Sequence, residues 1–235
     1  GRYCFYKYPE YTSKELYMQT EKFSVKRQIF VYIAGIMALS FGVYFVTSAN
    51  LGVSPIISLP FVISKITGFS LGEMTFFINL ICLLIQVAML GKDFPRREVF
   101  QMAAAFIFSF LIDFISYFMA FIFFPSTVLQ KILSFAVGLF FSGAGISFMS
   151  LSRLFMLPCD ALSRVTAEKF NRDFGKTKVL VDGTILLTST SLSLIFLRRL
   201  EGIHIGTFII VVSVGNIISF FLHRLTKKTE EYIGF

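Results

Sequence analysis

The sequence predicts an all-α membrane protein of six transmembrane helices, built as a 3+3 inverted-topology repeat, with a short helix after the first helix of each repeat. Three observations predict it. Hydrophobic residues make up 55% of the 235 residues and charged residues only 15%, where a soluble domain carries about a quarter charged. Six apolar runs, each near the roughly 20 residues that a membrane-crossing helix needs, occupy most of the chain. The chain also matches itself without a gap at a constant offset of 103 residues from about Gln28 to Phe118. The runs are continuous rather than alternating, and a lipid-exposed backbone must satisfy its own hydrogen bonds, so helices are preferred to barrel strands.

Residues 1–27 form a cytoplasmic N-terminal segment, in which Thr12 and Glu15 have capping-box spacing ahead of Leu16 and Tyr17, a short interfacial helix and a basic tail both being open. The first repeat covers 28–124 and the second 125–224, followed by a cytoplasmic tail at 225–235. Apolar spans are expected at about 28–48, 70–90, 100–123, 130–150, 175–197 and 203–223. Gly91 with Pro95 separates the second span from the third, and Pro125 the third from the fourth. Between the first two spans, Ser54 at an N-cap and Pro55 at the first helical position open a helix of about 13 residues that closes at Gly68. It is too short to span. Residues 49–54 in extended form reach roughly 20 Å and the helix returns about as far, so a re-entrant hairpin and a surface helix both fit. Its partner after Pro158 carries Asp160, Arg164, Glu168 and Lys169 and reads as amphipathic. Ser70 and Glu73 make a capping box at the start of the second span, and Asp173 an N-cap at the fifth.

Orientation follows from the basic residues. With the segments taken alternately, eighteen of the 22 Lys and Arg residues fall on one side, and Lys65, Lys131, Arg198 and Arg199 on the other. The positive-inside bias therefore places both termini in the cytoplasm. The net charge of +8 is distributed between apolar runs and forms no basic stripe with interleaved aromatics, so no nucleic-acid partner is expected.

The repeat pairs Gly35 with Gly138, Gly42 with Gly145, Pro55 with Pro158, Gly72 with Gly175 and Ser116 with Ser219; Asn79 falls on Asp182 and Asp113 on Asn216. Glycine and proline matches held in one register outweigh leucine and phenylalanine coincidences. Three spans per repeat make the second enter from the opposite side, the arrangement of transporters whose sites lie at the repeat interface near the midplane.

The stretch Asn50-Leu-Gly-Val-Ser-Pro-Ile-Ile-Ser-Leu-Pro60, Phe69-Ser-Leu-Gly72, Asn79, Met156-Leu-Pro158, Phe174-Gly-Lys176 and Gly206-Thr207 resembles the YczE/YyaS/YitT group of bacterial membrane proteins over nearly everything after the N-terminal segment. The resemblance implies a bacterial cytoplasmic (inner) membrane. Asn216 stands where the group's pattern has Pro, and Cys159 where it has Gly.

Ionisable and amide residues inside spans mark the candidate site. Asp113 lies near the centre of the third span with Ser109 and Ser116 on its face, and an isolated carboxylate there costs about 2.5–3.5 kcal/mol. Its expected partners are Asn216 or Asp182, from the other repeat. Ser213, Asn216 and Ser219 form the corresponding face of the sixth span, and Asn79 and Asp182 give each repeat one acid and one amide. Ser54, Pro55, Pro158 and Asp160 mark the short-helix starts, whose free N–H groups suit an anionic group if they reach the midplane. Packing by interhelical hydrogen bonds is the competing reading. Thr184, Thr188 and Ser191 share a face of the fifth span and either line a wet cavity or bond back to their own helix. Gly35, Gly42, Gly138, Gly143 and Gly145 are expected to allow close helix approach.

Cys4, Cys82 and Cys159 are widely spaced, which indicates neither a disulfide framework nor a zinc site. His204 and His223 are too far apart on one helix to share a metal, and enzyme motifs are absent. The expectation is therefore a non-enzymatic membrane transporter of a small solute, proton-coupled through Asp113 and Asp182, with no cofactor and no metal, in contact with the lipid bilayer. A non-transporting subunit that binds a solute or scaffolds a partner complex is the alternative, and a homo-oligomer or a partner membrane subunit is open.

Overall fold

The computed structural model describes residues 25–233; within it the side chains of Ser219 and of residues from 222 onward lie outside the described set. The expectations at Thr12 and Glu15 fall outside it as well. All described elements are helical: α1 Val25–Ala49, α2 Pro55–Thr67, α3 Leu71–Leu90, α4 Gln101–Ile122, α5 Val128–Ser152, α6 Pro158–Lys169, α7 Phe174–Leu192 and α8 Ile205–Ile233. Two 3₁₀ turns, Gly91–Asp93 and Arg96–Phe100, join α3 to α4, and α7 continues as a π-turn over Ser193–Leu197. Among the described residues, five segments are long and apolar enough to cross a membrane, namely Val25–Ala49, Leu71–Asp93, Arg96–Ile122, Val128–Ser152 and Phe174–Leu197. Pro55–Thr67 and Ile205–Ile218 are shorter apolar helices.

Local chemistry sets the ends. Ser70 Oγ accepts the Glu73 amide at 3.0 Å while Glu73 Oε2 accepts the Ser70 amide at 2.8 Å, the expected capping box. Thr127 and Gln130 build a second at α5, beyond those expected from the sequence. Asp173 accepts the Lys176 amide at 3.0 Å and opens α7. Gly68 ends α2 at φ 80°, its N–H donating to Ser64 O at 2.9 Å. Ser54 occupies the N-cap of α2 in extended geometry, but its side chain makes no capping bond.

The core is a seam between α1 and α5 made by glycine. A Cβ on Gly42 would stand 2.6 Å from the Ser142 amide nitrogen, and one on Gly145 would stand 2.5 Å from that of Leu39. Without a bulk-water driving force, helices in lipid associate through such close approach. The outer faces are apolar: Phe106, Phe110, Phe114 and Phe121 run down the exposed side of α4, whereas Ala104, Ala105, Phe108 and Ile112 are buried. This is a helical membrane protein whose exterior is lipid-compatible.

Around the seam, α4 packs on α1 and α8 on α5, while α2 packs on α7 and α6 on α3. Helices α3 and α4 are tightly joined, but among the described residues α7 and α8 make almost no contact. A Cβ on Gly72 of α3 would stand 2.2 Å from Ser109 O of α4, whereas one on Gly175 of α7, its counterpart, would meet no atom of another helix within 4 Å.

Candidate functional site

The polar interior gathers around the start of α6. Pro158 at the first helical position has no N–H to satisfy and pre-sets the helical φ, but Leu157 at the N-cap offers no side-chain acceptor. Helix α3 supplies what is missing. Asn79 Oδ1 accepts the Cys159 amide at 3.3 Å, and Asn79 Nδ2 donates to Thr75 O at 2.9 Å. Further along α3, Gln86 Nε2 donates to Pro158 O at 2.9 Å. Asn79 is the ninth of the 20 residues of α3, so α6 begins opposite the middle of that helix. It ends beside Met89, whose carbonyl accepts from Lys169 Nζ.

On the opposite flank of α6, Lys178 of α7 donates to Asp160 Oδ1 at 2.8 Å and to Asp182 at 3.2 Å. The three side chains are 30%, 30% and 23% exposed for Lys178, Asp160 and Asp182. One lysine thus bridges two aspartates between α6 and α7. Further along α6, Arg164 pairs with Glu98 at 3.1 Å, and Gln101 reaches the same carboxylate. Of the four charges that gave α6 an interfacial appearance, Asp160 and Arg164 thus point into ion pairs and Glu168 and Lys169 are exposed, while Cys159, Ala161, Leu162 and Val165 are buried.

The expected residues are distributed unequally over this site. Asn79, Asp160, Pro158 and Asp182 come together at it. Asp113 does not join them: Ser70 Oγ donates to its Oδ2 at 2.5 Å and the Gly72 amide to its Oδ1 at 2.7 Å. The expected reach to Asn216 or Asp182 is therefore replaced by a latch between α4 and the start of α3, because the free N–H groups there are nearer and complementary. Asn216 is exposed on α8 and Ser116 is half-buried on α4; the Ser219 side chain lies outside the described set. Ser54 and Pro55 are half-buried at the start of α2, where the adjoining loop is held by Val53 N donating to Gly202 O and Gly206 N to Leu51 O, both at 2.9 Å. Thr184 and Thr188 bond to the carbonyls of Leu180 and Thr184, as the back-bonded reading expects. Lys178 is absent from the sequence expectations, where it counts only as a loop charge; its i,i+4 spacing to Asp182 is the signal that could have found it. The contact of Cys82 with Cys159, at 2.8 Å between sulfurs, leaves no trace in their spacing.

A family model described as "Family of unknown function (DUF6198)" matches residues 26–223. The chain belongs to this family. It is also 28% identical over 207 residues to the "Uncharacterized protein YyaS" of Bacillus subtilis (strain 168), covering 86% of the chain and 98% of that relative. The resemblance to the YyaS-like group is thereby established over most of the chain. No solved structure matches.

Proposed function

We propose that this protein carries a small solute across the bacterial cytoplasmic membrane, with proton coupling through the Asp160–Lys178–Asp182 cluster at the start of α6. The carrying observation is that cluster itself. Ionisable side chains enclosed among apolar helices are costly and typically serve ion or substrate pathways. In this reading the chain is a 3+3 inverted repeat with both termini cytoplasmic, and α2 and α6 are re-entrant half-helices. Three features support it: the glycine pairs at offset 103 meeting in the α1–α5 seam, the reciprocal packing of α2 on α7 and α6 on α3, and the start of α6 opposite the middle of α3. The close α3–α4 pair and the separated α7–α8 pair are the two arrangements that inverted repeats exchange when access alternates.

Proteoliposomes loaded with a pH-sensitive dye test this by measuring decay of an imposed pH gradient during addition of amino acids, sugars, organic acids and nucleosides in turn. One class should accelerate the decay, and Asp182→Asn should remove that acceleration while the helical circular dichroism is kept. No acceleration by any class, or full acceleration in Asp182→Asn, rejects the coupling.

The separated α7–α8 pair also favours a second reading, in which the exposed side of α7 receives a partner membrane helix or a second copy. Mass measurement in detergent distinguishes it: a monomer with solute-dependent proton flux supports the carrier alone.

A further inference from the structure

Cys82 and Cys159 belong to different halves of the chain, Cys82 to α3 and Cys159 to the first turn of α6. Both are free thiols, 5% and 2% exposed, with sulfurs 2.8 Å apart. Contraction by less than an ångström reaches the disulfide bond length of about 2.0 Å. The backbone around them is already held in place: Asn79 and Gln86, three residues before and four after Cys82 on α3, bind Cys159 N and Pro158 O. Packing alone does not call for sulfur here. At offset 103 the counterparts of Cys82 and Cys159 are Ile185 and Ile56, ordinary hydrophobes, so the thiol pair is confined to one of the two related positions.

We propose that Cys82 and Cys159 are a modification site, closing to an intramolecular disulfide by exchange with a small uncharged disulfide oxidant and so pinning the start of α6 to the middle of α3. In the first step the thiolate of one cysteine attacks the oxidant's S–S bond, forming a mixed disulfide and releasing one thiol. In the second, the other cysteine attacks that mixed disulfide, forming the Cys82–Cys159 bond and releasing the second thiol. The chain loses two hydrogens and the oxidant gains them. The site does not depend on the transport reading, because its product is covalent and is read directly.

The full chain carrying Cys4→Ser, folded in detergent, is treated with dithiodipyridine, then denatured, alkylated with iodoacetamide and weighed intact. The expected product has released two thiopyridone molecules per chain, retains no pyridyl group, takes up no alkylating agent and is lighter by two hydrogens. Digestion yields one peptide pair joined through Cys82 and Cys159, and a phosphine reductant restores both thiols. Cys82→Ser and Cys159→Ser should each release one thiopyridone and keep a pyridyl adduct. Retained pyridyl groups on both cysteines of the unsubstituted pair, free thiols after exhaustive treatment, or a bridge between chains overturns the assignment. The deciding masses come from the chain with both cysteines intact, so the test holds even if a serine variant fails to fold.

Discussion

Removing the Asp113 carboxylate separates a latch from a proton relay. It accepts two hydrogen bonds, from Ser70 Oγ at 2.5 Å and from the Gly72 amide at 2.7 Å, at the N-terminus of α3 where the helix dipole favours negative charge. Hydrogen bonds to a charged group contribute about 1.5–3 kcal/mol each. They are not additive, Asp113 is only half-buried, and Ser70 keeps its separate bond from the Glu73 amide. A loss of about 2–4 kcal/mol is therefore expected for Asp113→Ala. Asp113→Asn should lose about half of that, since its carbonyl oxygen can still accept from Gly72 and Ser70 can turn to accept from the amide. The chain has no tryptophan, so unfolding in mixed detergent is followed by far-ultraviolet circular dichroism. Proton flux in proteoliposomes should keep its pH dependence in Asp113→Asn. A loss below about 0.5 kcal/mol in Asp113→Ala, or a stable Asp113→Asn that has lost its pH-dependent flux, refutes the latch.

Replacing Gly145 by Val puts two extra groups where a single Cβ already meets the α1 backbone at 2.5 Å, and should cost about 1–3 kcal/mol or more, read as a lowered thermal midpoint; Gly183→Ala, in a helix with open space around it, serves as the control and should hold or raise the midpoint. In a background without the native cysteines, Gly175→Cys combined with Asn216→Cys should cross-link only when α7 and α8 close as Gly72 and Asp113 do, so the yield should change when the pH is shifted; a pH-independent yield opposes alternating access. A cysteine at Lys65 should react with an impermeant maleimide from outside the cell and one at Arg172 only after permeabilisation, the reverse pattern inverting the orientation.

The helices were legible because membrane insertion is decided within each segment: apolar length, Pro55 and Pro158 at helix starts, Gly68 at a helix end and the Ser70–Glu73 box each act on near neighbours. The glycine seam was legible too, since small residues in register have few uses other than close approach. Partner choice was not. Asp113 sits 41 residues from Gly72 and Lys178 sits 18 from Asp160, and nothing local says which of several polar residues a carboxylate meets once helices pack. The α6 charges leave partner choice open for a related reason. An amphipathic helix satisfies the same pattern whether its polar residues face headgroups or, as Arg164 and Asp160 do, meet Glu98 and Lys178 of neighbouring elements.

The offset of 103 residues also weighs function against packing at the α6 cluster. The two halves keep the same glycines in the seam and the same prolines at the short-helix starts, which is what a shared scaffold requires. At the cluster they diverge: Asp160, Lys178 and Arg164 have Ile57, Thr75 and Phe61 as counterparts. Those counterparts need no counter-charge, since Ile57 and Phe61 are buried hydrophobes and Thr75 bonds to Leu71 O at 2.7 Å. Asp182 has the neutral amide Asn79 as its counterpart, so the corresponding position is packed with apolar, hydroxyl and amide side chains at lower desolvation cost than an ammonium and two carboxylates. Mechanical need is common to both halves, whereas the charges occur in one. At the α6 cluster, charges carried by one half and replaced by neutral residues at offset 103 support the proposed role, in which protonation or charge pairing is used, rather than one in which helices are merely held together.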